Sequence, residues 1–234
     1  MVFQSLGLSI HFPLFKNLLR DALRPVGVKS SLIRSLHKQV VVQNRGALTE
    51  FLEPEQLALS KAGGSKLVHQ VRMMSEKNPS MVFVKVDMRN AHNEVSRASV
   101  LEALEREDTL RHLSWHVATC QASHTGLESG GRIWGWAGEG QSQGDPEASG
   151  LFSVSWHLDV RELNAALARF GNDDGYLIGP SAILFPVLER FAANVMTRCL
   201  LHLQVTKTEV FTWSGQLPSQ ALRPPRTWPG LASW

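Results

Sequence analysis

Gly171-Asn172-Asp173-Asp174-Gly175 is the stretch that most restricts what this chain can fold into. Two adjacent carboxylates stand between glycines, ahead of a short apolar run, Tyr176-Leu177-Ile178, that stops at Gly179-Pro180. Turn residues beside a β-favouring run predict a tight β-hairpin with acids at its tip. The residues just before, Ala168-Arg169-Phe170, read as the end of a helix. Neighbouring anions repel, so such a pair is tolerated in water or beside a divalent cation, which prefers hard oxygen ligands. The same tetrapeptide is also ordinary turn chemistry. What separates the two readings is whether other segments supply a third carboxylate, a phosphate site and basic contacts.

Composition excludes several classes. With 43% hydrophobic and 19% charged residues over 234 positions, the chain is a folded globular protein of one domain or two small ones, long enough to bury a core. A net charge of +3 is compatible with a nucleic-acid partner without requiring one. Cys120 and Cys199 both fall in apolar, helical-looking stretches, as thiols of a reducing compartment do. Lys16 and Arg20 follow the first apolar residues instead of preceding them, so no signal peptide is expected. No apolar run approaches membrane-spanning length, and an intracellular location, cytoplasmic or nuclear, with no membrane partner is expected.

Along the chain, Leu14, Leu18, Leu19 and Ala22 have helical spacing, which predicts a helix within residues 1–23 broken by Arg24-Pro25-Val26. Ser31 to Leu52 is the longest helical candidate, with Leu32, Leu36, Val40, Leu48 and Leu52 as its stripe. Glu53-Pro54 ends it. After Gly63-Gly64 a shorter helix runs from Ser65, a plausible N-cap, to about Lys77. Met81 to Val86 alternates β-branched residues with Phe83 and Lys85, which predicts a strand ending at Asp87. Helices follow over Ser96–Glu107 and Leu110–Ser123, then an extended pair around Arg132-Ile133-Trp134-Gly135-Trp136. Pro146 opens a helix to about Ala168. Ile183 to Leu201 is amphipathic, with Leu184, Leu188, Phe191, Val195 and Cys199 on one stripe, and a strand or strand-turn follows around Thr206-Lys207-Thr208. From Gln216 the chain is proline-rich and aperiodic.

The order of elements predicts an α+β fold: an antiparallel sheet backed by helices, with a mostly helical N-terminal region. In such a sheet the end of the first strand, Asp87, can lie beside the hairpin tip, Asp173 and Asp174. Three carboxylates at adjacent strand ends suit two-metal phosphoryl transfer, with cations ~3.5–4 Å apart at the attacking and leaving oxygens.

Four segments then resemble, in order, the palm motifs of reverse transcriptases, most closely those of the non-LTR retrotransposon type. Val86-Asp87-Met88-Arg89-Asn90-Ala91-His92 is similar to the first, an Asp followed by a gate residue. Gly140-Gln141-Ser142-Gln143-Gly144-Asp145-Pro146 is similar to the second. Gly171-Asn172-Asp173-Asp174 stands where the family carries an aromatic-x-Asp-Asp, and Val205-Thr206-Lys207-Thr208-Glu209 resembles the lysine-bearing stretch beyond it. Arg24-Pro25-Val26 and the Gln56–Gly64 loop are similar to the upstream fingers motifs. The four palm motifs together are a specific signal where any one is weak.

The resemblance implies a polymerase palm sheet and a division into fingers (1–80), palm (81–215) and an irregular tail (216–234). It implies RNA-templated DNA synthesis from deoxynucleoside triphosphates, on an RNA template with a nucleic-acid primer. It also implies roles. Asp87 and Asp173 would bind Mg2+ with Asp174 assisting, and Lys207 would donate a proton to the leaving pyrophosphate. Backbone amides of Asn90 and Ala91 would face the triphosphate, with Arg24 as a basic contact to it. His92 would sit under the sugar, and Gln143 and Gly144 would touch nucleotide and template.

The chain departs from the family pattern at several points. His92 replaces a Phe or Tyr, Gly171 replaces an aromatic, and Glu147 stands where an apolar or small residue is usual. An acid there would repel a phosphate backbone or occupy a first helical turn, where the dipole favours it. No thumb is recognisable after Gly215. A catalytically inactive remnant with weak RNA binding is therefore the alternative, and an RNA-templated RNA polymerase a third reading. Elsewhere, His112, His116 and Cys120 share one helix face, which would seat a transition metal or simply be the face beside Leu113 and Val117. Trp134 and Trp136 read as core or hairpin packing more than as base-stacking residues. Lys38 and Arg45 read equally as a groove lining or a solvated helix face.

Overall fold

The structure is a computed structural model describing residues 8–15, 23–121, 125–129, 131–163 and 167–212, with side chains from Val26 onward except that of Ser129. Its elements are β1 (Leu8–Phe15), β2 (Leu23–Lys29), α1 (Ser31–Leu52), α2 (Gly63–Lys77), β3 (Val82–Val86), α3 (Ala91–Glu94), α4 (Arg97–Arg106), α5 (His112–Gln121), β4 (Thr125–Ser129), β5 (Arg132–Ala137), α6 (Ala148–Arg161), β6 (Leu167–Gly171), β7 (Asp174–Gly179), α7 (Ser181–Cys199) and β8 (Glu209–Thr212). A 3-10 turn, Val205–Lys207, precedes β8.

An antiparallel sheet of order β6-β7-β3-β8 forms the frame. In β3 the valines Val82, Val84 and Val86 alternate inward, as a half-buried strand requires, while Phe83 and Lys85 are less covered. The valine face meets α6 and α7 in a core containing Phe152, Trp156, Phe170, Leu177, Leu188 and Phe191. Trp156 is fully buried and meets Phe170 edge-on, with ring centroids 4.9 Å apart. The α7 stripe of Leu184, Leu188, Phe191, Val195 and Cys199 is buried as its spacing predicts. On its other side α6 sends Leu151 and Val154 into a second core with Leu48 and Leu52 of α1, Val100 and Leu104 of α4, and Leu113 and Val117 of α5. A helix serving two cores is apolar nearly all round, which explains why α6 shows little amphipathic contrast in sequence.

A second sheet, β2-β1-β4-β5, joins the N-terminal strands to the β4–β5 hairpin. It corrects the helix expected within residues 1–23. Leu8, Ile10, Phe12 and Leu14 alternate with Ser9, His11 and Pro13, and that period of two wins by pairing antiparallel with β2 and parallel with β4. Leu18, Leu19 and Ala22 lie outside the described residues, as do residues 213–234.

Three further expectations are corrected. The helix from Pro146 ends at Arg161, and Ala168-Arg169-Phe170 is strand β6, because ladder bonds to β7 override the helix preference of alanine. Helix α2 starts at Gly63, not at a Ser65 cap: Lys66 N–H already donates to the Ala62 carbonyl, and no side chain caps the end. In α1 the buried positions are Ile33, His37, Leu48 and Leu52, whereas Leu32 and Leu36 are exposed. The first half of the helix is turned by the polar partners of His37, described below.

Candidate active site

The register of the first sheet puts the carboxylates at one corner. Val86 of β3 faces Gly175 of β7, so the positions immediately beyond are Asp87 and Asp174. Gly171 pairs with Asp174, leaving Asn172 and Asp173 as the two-residue tip, with Asn172 in the left-handed region at φ 62°. The hairpin with acids at its tip is present. Backbone bonds then strap the segment after α7 across the end of β3: Gln204 N–H donates to the Asp87 carbonyl and Arg89 N–H to the His202 carbonyl, both at 2.8 Å. This strap delivers Lys207, whose Nζ lies 2.9 Å from Asp87 Oδ2. Burial, then the charges of Asp173 and Asp87, hold the Asp174 carboxyl above the ordinary carboxylate range, against the opposing pull of Lys85 and Lys207.

The segment after Asp87 turns sharply. Asn90 is left-handed, at φ 45°, and starts the four-residue α3 with Ala91 buried behind it. His92 stacks on Phe152, with centroids 4.4 Å apart and planes 19° from parallel. The 140–144 loop is laced to this turn: Gly140 N–H donates to the Val95 carbonyl and Gln141 N–H to that of His92. Gly140 sits at φ +83°, and a Cβ there would lie 2.3 Å from the Asn93 carbonyl oxygen. Gly144, at φ +107°, also approaches β2 closely, with a Cβ falling 2.9 Å from the Gly27 carbonyl oxygen. Asn90 and Gln143 consequently line one cleft, together with Gly27, Arg97 and Gln141. Arg24 lies in β2 opposite Leu14, and its side chain is outside what the structure describes. Trp134 and Trp136 are 75% and 58% exposed on β5, not packed in the core.

A second constellation was not anticipated as a unit. Behind the 140–144 loop, Asp145 is buried with both oxygens on His37 Nδ1, at 2.8 and 2.9 Å, and with Lys29 Nζ 3.0 Å from Oδ2. Glu147, 2% exposed, takes His116 Nε2 at 2.9 Å and lies 3.4 Å from His37. It therefore faces neither a phosphate nor solvent. His116 Nδ1 is 3.7 Å from Cys120 Sγ, and the His37 and His116 rings meet edge-on at 5.3 Å. Burial lowers the His37 pKa, but Asp145, Cys120 and Glu147 outweigh it and raise His37 to about 9. Cys120 and Glu147 raise His116 to about 10, and the two imidazoles bring the Cys120 thiol down to about 7. The thiol of Cys199, by contrast, is pushed up to about 12 by burial and Asp159. Of the helix-face trio, His112 turns away to Asn44 Oδ1 at 2.7 Å, and His37 takes its place. The available signal was a histidine inside an apolar stripe, which periodicity counts as a gap.

No family model matches the chain, and no curated protein does. Solved structures do. Apo telomerase from Candida tropicalis, truncated from its C-terminal domain, superposes with a TM-score of 0.63 at 12% identity over 92% of this chain and 51% of that one. Telomerase from Candida albicans, in complex with a TWJ fragment of telomeric RNA, does so with a TM-score of 0.58 at 14% identity over 90% and 42%. The chain has a reverse-transcriptase-like fold. It spans about half the length of the structures it matches. No helix among the described residues is long and apolar enough to cross a membrane.

Proposed function

We propose that the chain is the fingers (1–80) and palm (81–215) of a reverse transcriptase of the non-LTR retrotransposon type, derived from a retroelement, with 216–234 a tail beyond the palm. It would extend a nucleic-acid primer on an RNA template using deoxynucleoside triphosphates. The observation that carries this is the corner where Asp87 and Asp174 end adjacent strands and Lys207 sits on Asp87. Neither strand geometry nor core packing requires three acids and a lysine at one sheet corner.

The carboxylates fit Mg2+: the donors are all hard oxygens, and the Asp174 carboxyl is raised first by burial and then by the charges of Asp173 and Asp87, both of which a cation would offset. Asp87, Asp173 and Asp174 would hold it. When bound, it supplies charge stabilisation at the reacting phosphate and activation of the attacking hydroxyl. The chain's own groups do the remainder. Lys207, freed from Asp87, donates a proton to the departing pyrophosphate. The amides of Asn90 and Ala91 face the triphosphate, with Arg24 as its basic contact. His92, fixed flat against Phe152, forms the surface under the sugar. Gln143 and Gly144 position nucleotide and template from across the cleft. Trp134 and Trp136, which are exposed and so not core residues, would stack on unpaired bases of the template.

The test is primer extension on an RNA template with Mg2+, comparing the wild-type chain with Asp173→Ala. Extension that vanishes in the variant supports the assignment. A folded wild type that binds RNA in a salt-sensitive way yet extends nothing favours the inactive remnant. A preference for ribonucleotides favours the RNA-polymerase reading.

A further inference from the structure

Outside the carboxylate corner, the second constellation has the form of a metal site. One ligand atom from each of His37, His116 and Cys120 lies within 4.8 Å of the other two. His37 commits Nδ1 to Asp145, while its Nε2 is buried and has no hydrogen-bond partner among the described residues. A wholly buried imidazole with an orphaned nitrogen is costly unless something occupies that nitrogen. His116 shows the complementary arrangement, with Nε2 on Glu147 and Nδ1 turned to Cys120.

Each histidine therefore has one nitrogen held by a buried carboxylate, leaving His37 Nε2 unpartnered and His116 Nδ1 on the Cys120 sulfur. Such a carboxylate is the outer support that metal-binding histidines use to fix ring orientation and raise basicity. The spacing agrees too. Tetrahedral Zn2+, with Zn–N of ~2.0–2.1 Å and Zn–S of ~2.3 Å, sets N and S about 3.6 Å apart; His116 Nδ1 and Cys120 Sγ are 3.7 Å apart. A donor set of two imidazoles and a thiolate selects a zinc-class ion over Mg2+. His116 and Cys120 are only partly buried, which leaves a route in and an open side for a fourth ligand.

We infer that His37, His116 and Cys120 form a Zn2+ site, with Asp145 and Glu147 as its outer carboxylates. The site ties α1 and α5 to the start of α6, directly behind the loop that carries Gln143 and Gly144. It is independent of the polymerase assignment, since none of its three ligands belongs to the carboxylate corner.

Co2+ titration of the full, tag-free chain after chelator treatment tests this. One equivalent of Co2+ should bring up a thiolate-to-cobalt charge-transfer band and tetrahedral ligand-field bands, and Zn2+ should remove both. Cys120→Ser should abolish the charge-transfer band, and Glu147→Gln should weaken Zn2+ binding by about 10–100-fold. His112→Ala, on the same helix but bonded to Asn44, should leave it unchanged. Alkylation of the unmodified protein gives a second readout: Zn2+ should protect Cys120, located by mass spectrometry. Absence of a one-equivalent cobalt signal overturns the inference. So does a charge-transfer band that survives Cys120→Ser, or equal alkylation of Cys120 with and without Zn2+.

Discussion

Lys207 and Asp87 form an ion pair 2.9 Å long in which the carboxylate is nearly buried and the ammonium mostly exposed. The pair closes the end of β3 with a residue delivered from beyond α7. If Lys207 serves as a proton donor, Lys207→Met should lower the single-nucleotide incorporation rate by about 10²–10⁴-fold, with a smaller effect on nucleotide KM. Lys207→Arg keeps the charge but has a guanidinium that does not give up its proton. Rapid-quench kinetics showing the arginine variant as slow as the methionine one would support proton donation, and full rescue by arginine would reduce Lys207 to an electrostatic role.

Gly140→Ala should damage the cleft without unfolding the sheet. The added methyl would enter the Asn93 carbonyl, and φ +83° is unfavourable for an L side chain. A cost of about 1–3 kcal/mol follows from a strained backbone of this kind. Urea denaturation should read the loss of stability, and nucleotide titration a weaker affinity, because Gln143 is displaced with the loop.

In the metal-free protein Asp145→Ala removes the partner of two buried cations, Lys29 and His37, whose pKa of about 9 keeps it protonated. Breaking a buried pair leaves uncompensated charge, and a loss of about 3–5 kcal/mol is expected in equilibrium unfolding at pH 7. Asp145→Asn should lose less, since the amide oxygen still accepts a bond.

His157 should make the fold acid-sensitive. It is fully buried against Phe51, and burial, then the charge of Arg161, lowers its pKa from 6.5 to about 4. The unfolded chain takes up the proton below pH 6.5, whereas the folded chain resists until about pH 4. The contribution of His157 is complete above pH 6.5 and is lost as the pH drops through that window, by roughly 3 kcal/mol. His157→Leu should flatten that acid limb in pH-dependent urea melts.

Legibility in the sequence followed the range of the forces involved. Valine alternation in 82–86, the apolar stripe of α7 and the turn chemistry at Asn172-Asp173 are local, and each element stands where periodicity put it. Strand β1 was missed because its ladders with β2 and β4 are not written in its own residues, and β6 because Ala168 favours a helix even though β7, its partner, follows directly across the Asn172-Asp173 turn. At the corner, motif order found Asp87, Asp174 and Lys207 together, since strand ends and a following strap converge whatever lies between. The His37 cluster was hidden for a different reason: a buried histidine is unreadable until the carboxylates that accept it are known, and those sit on another element.

The position of β3 in the sheet has a further consequence. Its two neighbours, β7 and β8, both come from the last third of the described chain. During synthesis β3 emerges long before either, so Val82, Val84 and Val86 wait with both hydrogen-bonding edges open. Such a segment is slow to find its native contacts and prone to pair with other chains meanwhile. A ribosome stalled before Tyr176 would carry every helix of the second core and still hold its central strand unpaired. The vulnerability of this fold is therefore temporal, and recovery of native protein should depend on chaperone supply during the interval between the emergence of Asp87 and that of Thr212.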